Sequence, residues 1–179
     1  VFAVPAGIDE STWRPTPLPD DRLPFRVAFW GTFIPLHGVD TLARAARIMR
    51  ERNDPIVIEV IGSGQTAEHF ATLVADLRLE NIVWRREIVP TEEAARLAER
   101  AHCCLGVLGT TAKAARVIPY KVYQALAAQR PVITADTPAI RRVLADGENV
   151  LLVPAGDAPA LAEAIQRLAR ERELCERLA

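Results

Sequence analysis

Three cations and an amide stand close together in the run GTTAKAARVIPYKVYQ, from Gly109 to Gln124. Lys113, Arg116 and Lys121 fall near the start of a predicted helix whose first residue is read as Pro119. Lys121 and Gln124 lie three residues apart and so share one face of that helix. Cations at a helix N-terminus oppose the dipole, an arrangement that costs stability unless an anion sits beside them. A diphosphate would supply that anion, with an ammonium on phosphate and the Gln124 amide on a ribose hydroxyl. The alternative is a basic loop whose side chains are simply in water.

Two glycine turns point to the same kind of ligand. Gly31-Thr32-Phe33-Ile34-Pro35-Leu36-His37-Gly38 runs from a strand to a helix start, where free N–H groups can meet a phosphate. Gly62-Ser63-Gly64 ends the next strand in the same way. Either turn alone is an ordinary strand-to-helix connection, but together they can floor a cleft. Neither is the GxGxxG fingerprint of dinucleotide enzymes, which argues against an oxidoreductase. His37 has an ordinary pKa near ~6.5, so a neighbouring diphosphate would favour its protonated form and affinity would fall between pH ~6 and ~8. His69 and His102 are lone histidines without metal-ligand spacing, and no metal or cofactor is expected. Cys103 and Cys104 read as core, Arg85 and Arg86 as surface, and Glu92 and Glu93 as complements to a helix dipole.

These residues need a scaffold, and the apolar pattern supplies one. Short runs predict strands at Phe25–Gly31, Ile56–Gly62, Asn81–Arg85, His102–Leu108, Pro131–Ala135 and Val150–Val153. They are near-continuous in apolar character, as expected of strands covered on both faces. Between them come helical spacings, with Val39, Leu42, Ala46 and Met49 on one face and Phe70, Leu73, Val74 and Leu77 on another. Thr91, Thr137 and Asp157 occupy N-cap positions, Pro138 opens a helix, and a last helix bearing Leu161, Ile165 and Leu168 runs to about Glu173. The alternation predicts an α/β fold: a doubly wound, mostly parallel six-stranded sheet, Rossmann-like, over residues 22–179. Residues 1–21, with Pro5, Pro15, Pro17 and Pro19, read as an extended linker. Ligands of such sheets bind at the strand carboxyl ends, which selects the loops Gly31–Gly38, Gly62–Gln65, Arg86–Pro90 and Gly109–Pro119.

The bulk numbers agree. The chain of 179 residues suits one α/β domain, and a net charge of −1 gives no general reason to expect nucleic acid or an anionic membrane. Cys103, Cys104 and Cys175 form no disulfide framework, which favours a reducing cytoplasm. No apolar run is long enough to span a bilayer. The chain opens at Val1 without methionine and is read as part of something longer.

With these loops in place, the chain resembles the C-terminal domain of retaining GT-B glycosyltransferases of family 4, the glycosyl transferases group 1 family. VPAGIDESTWRP resembles the junction segment of these enzymes. The likeness continues through GTFIPLHGVDTLARAA, VIGSGQ, IPYKVYQALAAQRPVITADTPAIRRVL and DGENVLLVPAGD, and PYKVYQALAAQRPVITAD is its most specific stretch. The resemblance implies a nucleotide-sugar donor bound by this domain, and an acceptor held mainly by an N-terminal domain outside this sequence. Catalysis by this part alone is not expected, and any peripheral membrane association would come through that other domain. Gly31 and Gly38 match the glycines of the donor-phosphate loop, while the usual arginine and lysine are here Thr32 and His37. The family's two donor-binding glutamates, eight residues apart, fall at Arg116 and Gln124. Expected donor contacts are thus Gly31, Thr32, His37, Gly38, Gly62, Gly64, Lys113, Arg116, Lys121 and Gln124, with no catalytic residue assigned. The departures keep a non-catalytic sugar-nucleotide-binding module open as an alternative. A sugar-nucleotide epimerase of the same architecture would need acid/base residues that the sequence does not show.

Overall fold

The apolar runs become six strands in a computed structural model that describes residues 7–20 and 24–179. The first six residues of the expected linker, and the expected boundary at residues 21 and 22, lie outside the described residues. The strands are β1 (Phe25–Trp30), β2 (Ile56–Ile61), β3 (Ile82–Arg85), β4 (Cys103–Leu105), β5 (Val132–Ala135) and β6 (Leu151–Val153). They form one sheet in the order β3-β2-β1-β4-β5-β6. Every pairing is parallel, where the sequence predicted a mostly parallel sheet. The order reverses between β1 and β4, the switch point where such sheets open a crevice. β1 and β4 pair only at Val27–Cys103 and Ala28–Cys104, and β4 is shorter than its apolar run. Beyond it Leu108 and Gly109 donate instead to the His37 and Leu36 carbonyls.

The connecting helices are α1 (Val39–Glu51), α2 (Ala67–Asp76), α3 (Thr91–Glu99), α4 (Tyr120–Ala127), α5 (Ala158–Arg170) and α6 (Arg172–Leu178). Alternation along β1 sends Phe25, Val27 and Phe29 to the core beneath α1, α2 and α5, and Ala28 and Trp30 to the core beneath α3 and α4. Each fully buried aliphatic side chain in these layers, such as Leu42 or Ile58, stabilises the fold by roughly 1.5–3 kcal/mol.

Three local expectations are corrected. Thr91 is the first helical residue of α3, and Pro90 is its N-cap, because proline's fixed φ suits the boundary and its missing N–H loses nothing there. Thr137 Oγ1 does accept from Ile140 N, at 3.2 Å, but only a three-residue 3-10 turn follows, since the chain turns back toward β6. The last helix breaks at Glu171, which frees α6 to bury Leu174, Cys175 and Leu178. Asp157 caps α5 as expected, accepting from Ala160 N at 2.9 Å.

Residues 7–20 carry no strand or helix but lie along the domain as a strap. Trp13 is 1% exposed and stacks on Trp30, with ring centroids 5.5 Å apart. The fully buried Arg130 guanidinium donates to the carbonyls of Thr16, Pro17, Ala98, Ala128, Gln129 and Glu99 and to Thr16 Oγ1. At the far end of the sheet His102 Nδ1 accepts from Arg26 N at 2.9 Å, so its Nε2–H faces the Asp20 carbonyl at 3.1 Å.

Candidate donor site at the strand carboxyl ends

Helix α4 places Lys121 and Gln124 on its inner face, where both are buried. The helix starts at Tyr120, and Pro119 is its extended N-cap rather than its first residue. From there Lys121 reaches across the end of the sheet until its Nζ lies 3.9 Å from the centroid of the Phe29 ring. That ring face attracts the ammonium, and among the described residues Nζ has no hydrogen-bond partner. Burial pushes the Lys121 pKa down to about 7. A buried cation without a counter-ion is costly, and such groups concentrate at functional sites.

Gly31 and His37 close around the same ammonium. A Cβ on Gly31 would come 3.2 Å from Lys121 Nζ and 3.4 Å from the His37 ring. The bare glycine thus leaves room for the cation directly beside the strand end. His37 Nδ1 is buried and has no hydrogen-bond partner among the described residues. Burial, and secondly the Lys121 charge, push the His37 pKa down to about 3. Desolvation and the neighbouring cation both disfavour the imidazolium, so protonation of His37 would require an anion beside it.

Next to this pair a slot of about 130 Å³ opens at the ends of β1 and β2. Trp30, Ile61, Val89 and Ala94 make its apolar walls, Gly31, Gly62 and Thr32 line its edge, and Gln124 closes it. Trp30 Nε1 donates to Gln124 Oε1 at 3.1 Å. The Gln124 carbonyl, expected to accept from a ribose, is turned onto the indole instead. A small slot with mostly apolar walls beside a buried ammonium suits a ring attached to an anion.

The other expected residues are dispersed. Lys113 and Arg116 are exposed, and Arg116 Nε donates to the Ala112 carbonyl at 3.1 Å, so the three cations do not cluster. The loop forms a 3-10 turn at Ala114–Arg116 that turns both away, while only Lys121 is carried inward by α4. Gly38 has φ +64, and a Cβ there would meet Gly109 N at 2.5 Å, so it serves close packing of two loops. Gly64 lies against the Phe33 backbone and does not line the slot. Cys103 and Cys104 are core, with burial raising both thiol pKa values, the latter to about 12. Arg86 pairs with Glu68, and Arg85 with Glu87 and Glu93, on the surface. A larger groove of about 830 Å³ lies between α1, α2 and the start of α5, but Arg47 and Glu51 at its rim pair with each other and Asp157 caps α5. Among the described residues no group of three metal-binding side chains converges. No described helix is long and apolar enough to cross a membrane.

Sequence reasoning missed Trp30, Phe29 and Ala94, and reached Val89 only as part of the loop Arg86–Pro90. One signal was available: a tryptophan at the end of a buried strand needs a partner for its N–H, although the sequence does not say that the partner is Gln124.

The family model for glycosyl transferases group 1 matches residues 24–171. The chain belongs to this family. It is 32% identical over 157 residues to a phosphatidyl-myo-inositol mannosyltransferase of Mycobacterium leprae, covering 87% of this chain and 40% of that relative's length. The fold is also that of the C-terminal domain of a group 1 glycosyl transferase from Francisella tularensis, with TM-score 0.78 at 16% identity over 96% of this chain and 92% of that one. Anabaena HepE, solved in complex with UDP and glucose, superposes with TM-score 0.79 at 14% identity, over 96% of this chain and 48% of its own. The doubly wound sheet is thus the GT-B half-fold, and family membership makes the chain a glycosyltransferase domain.

Proposed function

We propose that this chain forms the donor-binding part of a retaining glycosyltransferase that transfers a sugar, of the hexosyl or a related class, from a nucleoside diphosphate. The observation that carries the reading is the buried, unpartnered Lys121 ammonium beside Gly31, next to an apolar slot at the switch-point end of the sheet. The nucleobase takes the slot between Trp30 and Val89, and Lys121 answers the diphosphate. Its flexible four-carbon stem lets the ammonium swing the short distance to the rim as the phosphate arrives. Thr32 and the edges of Gly31 and Gly62 complete the rim, and His37 contacts phosphate only if the incoming anion restores its proton. Lys113 and Arg116 are at most outer contacts of the sugar. No metal or cofactor enters this proposal, because Lys121 supplies the positive charge. The acceptor is held by the remainder of the protein, as the chain spans only 40% of its mannosyltransferase relative. The buried thiols of Cys103 and Cys104, which belong to no disulfide framework, suit a reducing, cytoplasmic setting.

Titration of UDP, GDP, ADP and dTDP into the intact protein tests the donor reading, with at least one expected to bind and to raise Tm by mass action. Failure of all four to bind would overturn it. The anomeric configuration of a transferred sugar, read by NMR, tests retention. A second reading, a binding module without turnover, is favoured by Arg116 and Gln124 standing where the family pattern has carboxylates. Donor hydrolysis by the intact protein separates the two.

A further inference from the structure

Thr32, Thr91, Glu87 and the Gln124 amide are the polar side chains that line the slot, and the orientation of the amide is decided by chemistry. Trp30 Nε1–H is donor-only, so the Gln124 atom facing it at 3.1 Å must be the carbonyl oxygen. Trp30 itself is held, being 6% exposed and stacked on Trp13 at an interplanar angle of 22°. Gln124 is 9% exposed and lines the slot, and its Nε2 has no acceptor among the described residues. One Oε1 lone pair is taken by the indole, and the amide's two N–H groups are its unspent donors, held on the side away from Trp30.

We propose that Trp30 is a positioning residue that sets the hydrogen-bond polarity of this site, making Gln124 a donor toward the ligand. The inference rests on the nucleotide reading for the identity of that ligand, but the Trp30–Gln124 arrangement stands without it. A carboxylate at position 124 would offer only acceptors and would demand ligand hydroxyls that donate. The fixed amide instead demands a ligand oxygen that accepts, which a ribose hydroxyl, ring oxygen or phosphate oxygen can do. This chain should then tolerate donors in which a ribose hydroxyl has lost its proton-donating ability.

Two measurements on the intact protein test this. In the ligand-free state the Trp30 indole ¹H–¹⁵N resonance should be downfield and move upfield in Gln124→Met, which keeps the bulk and removes the amide. An unchanged indole resonance would overturn the proposal whatever binds in the slot. Calorimetry then compares UDP with its 2′-O-methyl and 3′-O-methyl analogues, in which the oxygen can still accept but cannot donate. Wild type should bind both analogues within about threefold of UDP, whereas Gln124→Glu should lose about tenfold or more on at least one. Trp30→Phe should raise that discrimination with glutamine at 124, where the freed amide can turn, and leave it unchanged with glutamate, whose two oxygens are equivalent. A Trp30→Phe effect equal in both backgrounds would reduce Trp30 to packing and sink the idea. If no nucleotide binds while the indole signature holds, the nucleotide reading falls and Trp30 remains the residue that orients Gln124.

Discussion

Lys121 is the residue whose chemistry is least satisfied by the protein around it. Its pKa of about 7 lies below the ordinary lysine value of 10.5, so between these values the unfolded chain holds a proton that the folded one has shed. Stability should therefore rise with pH from about 7 to about 10.5. Lys121→Met should remove that dependence and stabilise the fold at pH 6 by on the order of a few kcal/mol, as urea denaturation at pH 6 and 9 would show. The same change should weaken nucleoside-diphosphate binding roughly ten- to a hundredfold, because a charge-assisted bond is lost. A higher Tm together with unchanged binding would remove Lys121 from the site. Binding to wild type should take up a proton and weaken by up to about tenfold per pH unit above pH 7, since only the ammonium pairs with phosphate. Calorimetry in buffers of different ionisation enthalpy reads that proton directly. His37, with a pKa of about 3 beside Lys121, is neutral before the nucleotide arrives. His37→Ala should leave this profile where it is unless the phosphate restores the imidazole's proton, which a second proton taken up by wild type would show.

At the scale of elements, one connection fixes a loop beside Lys121 and another fixes the opposite end of α4. The first is the contact of Gly38 with the backbone of Leu108 and Gly109, where three atoms would lie within 2.9 Å of an added Cβ. Neither backbone can yield as a flexible side chain would, and the φ of +64 is itself unfavourable for alanine. Gly38→Ala should cost about 2 kcal/mol or more and also weaken nucleotide binding, because His37 and the exit of β4 are displaced together. The second is Arg130, whose fork joins the end of α4 to the end of α3 and to the strap. Its pKa is lowered by burial, yet its donors are met by carbonyls on several sides. Arg130→Met should destabilise by about 3 kcal/mol or more, because several carbonyls lose their partner at once. Arg130→Lys should restore only part of that, since a single ammonium cannot reproduce the planar fork. A urea midpoint unchanged by either substitution would show that the strap is held by other contacts.

For the whole molecule, the strap couples the chain's opening segment to the slot through one stack. Trp13→Ala should cost about 3–5 kcal/mol as a buried aromatic, and it should also loosen Trp30 and so broaden the Gln124 amide signals. Stability loss with sharp, unshifted amide signals would confine Trp13 to the core. The sequence alone determined the architecture, because six apolar runs alternating with 3.6-residue spacing admit few arrangements other than a parallel sheet with helices on both faces. It also determined that Lys121 and Gln124 share a face, since helical periodicity is local, and the PYKVYQALAAQRPVITAD run marked the family. Other features depended on partners far along the chain. Whether Lys113 and Arg116 join Lys121 was set by a 3-10 turn, and the state of His37 by burial against Phe29 and the Lys121 charge. The sense of the Gln124 amide was set by a tryptophan 94 residues away. Protonation and hydrogen-bond direction follow desolvation and distance, and those quantities exist only once β1, α4 and the strap have come together.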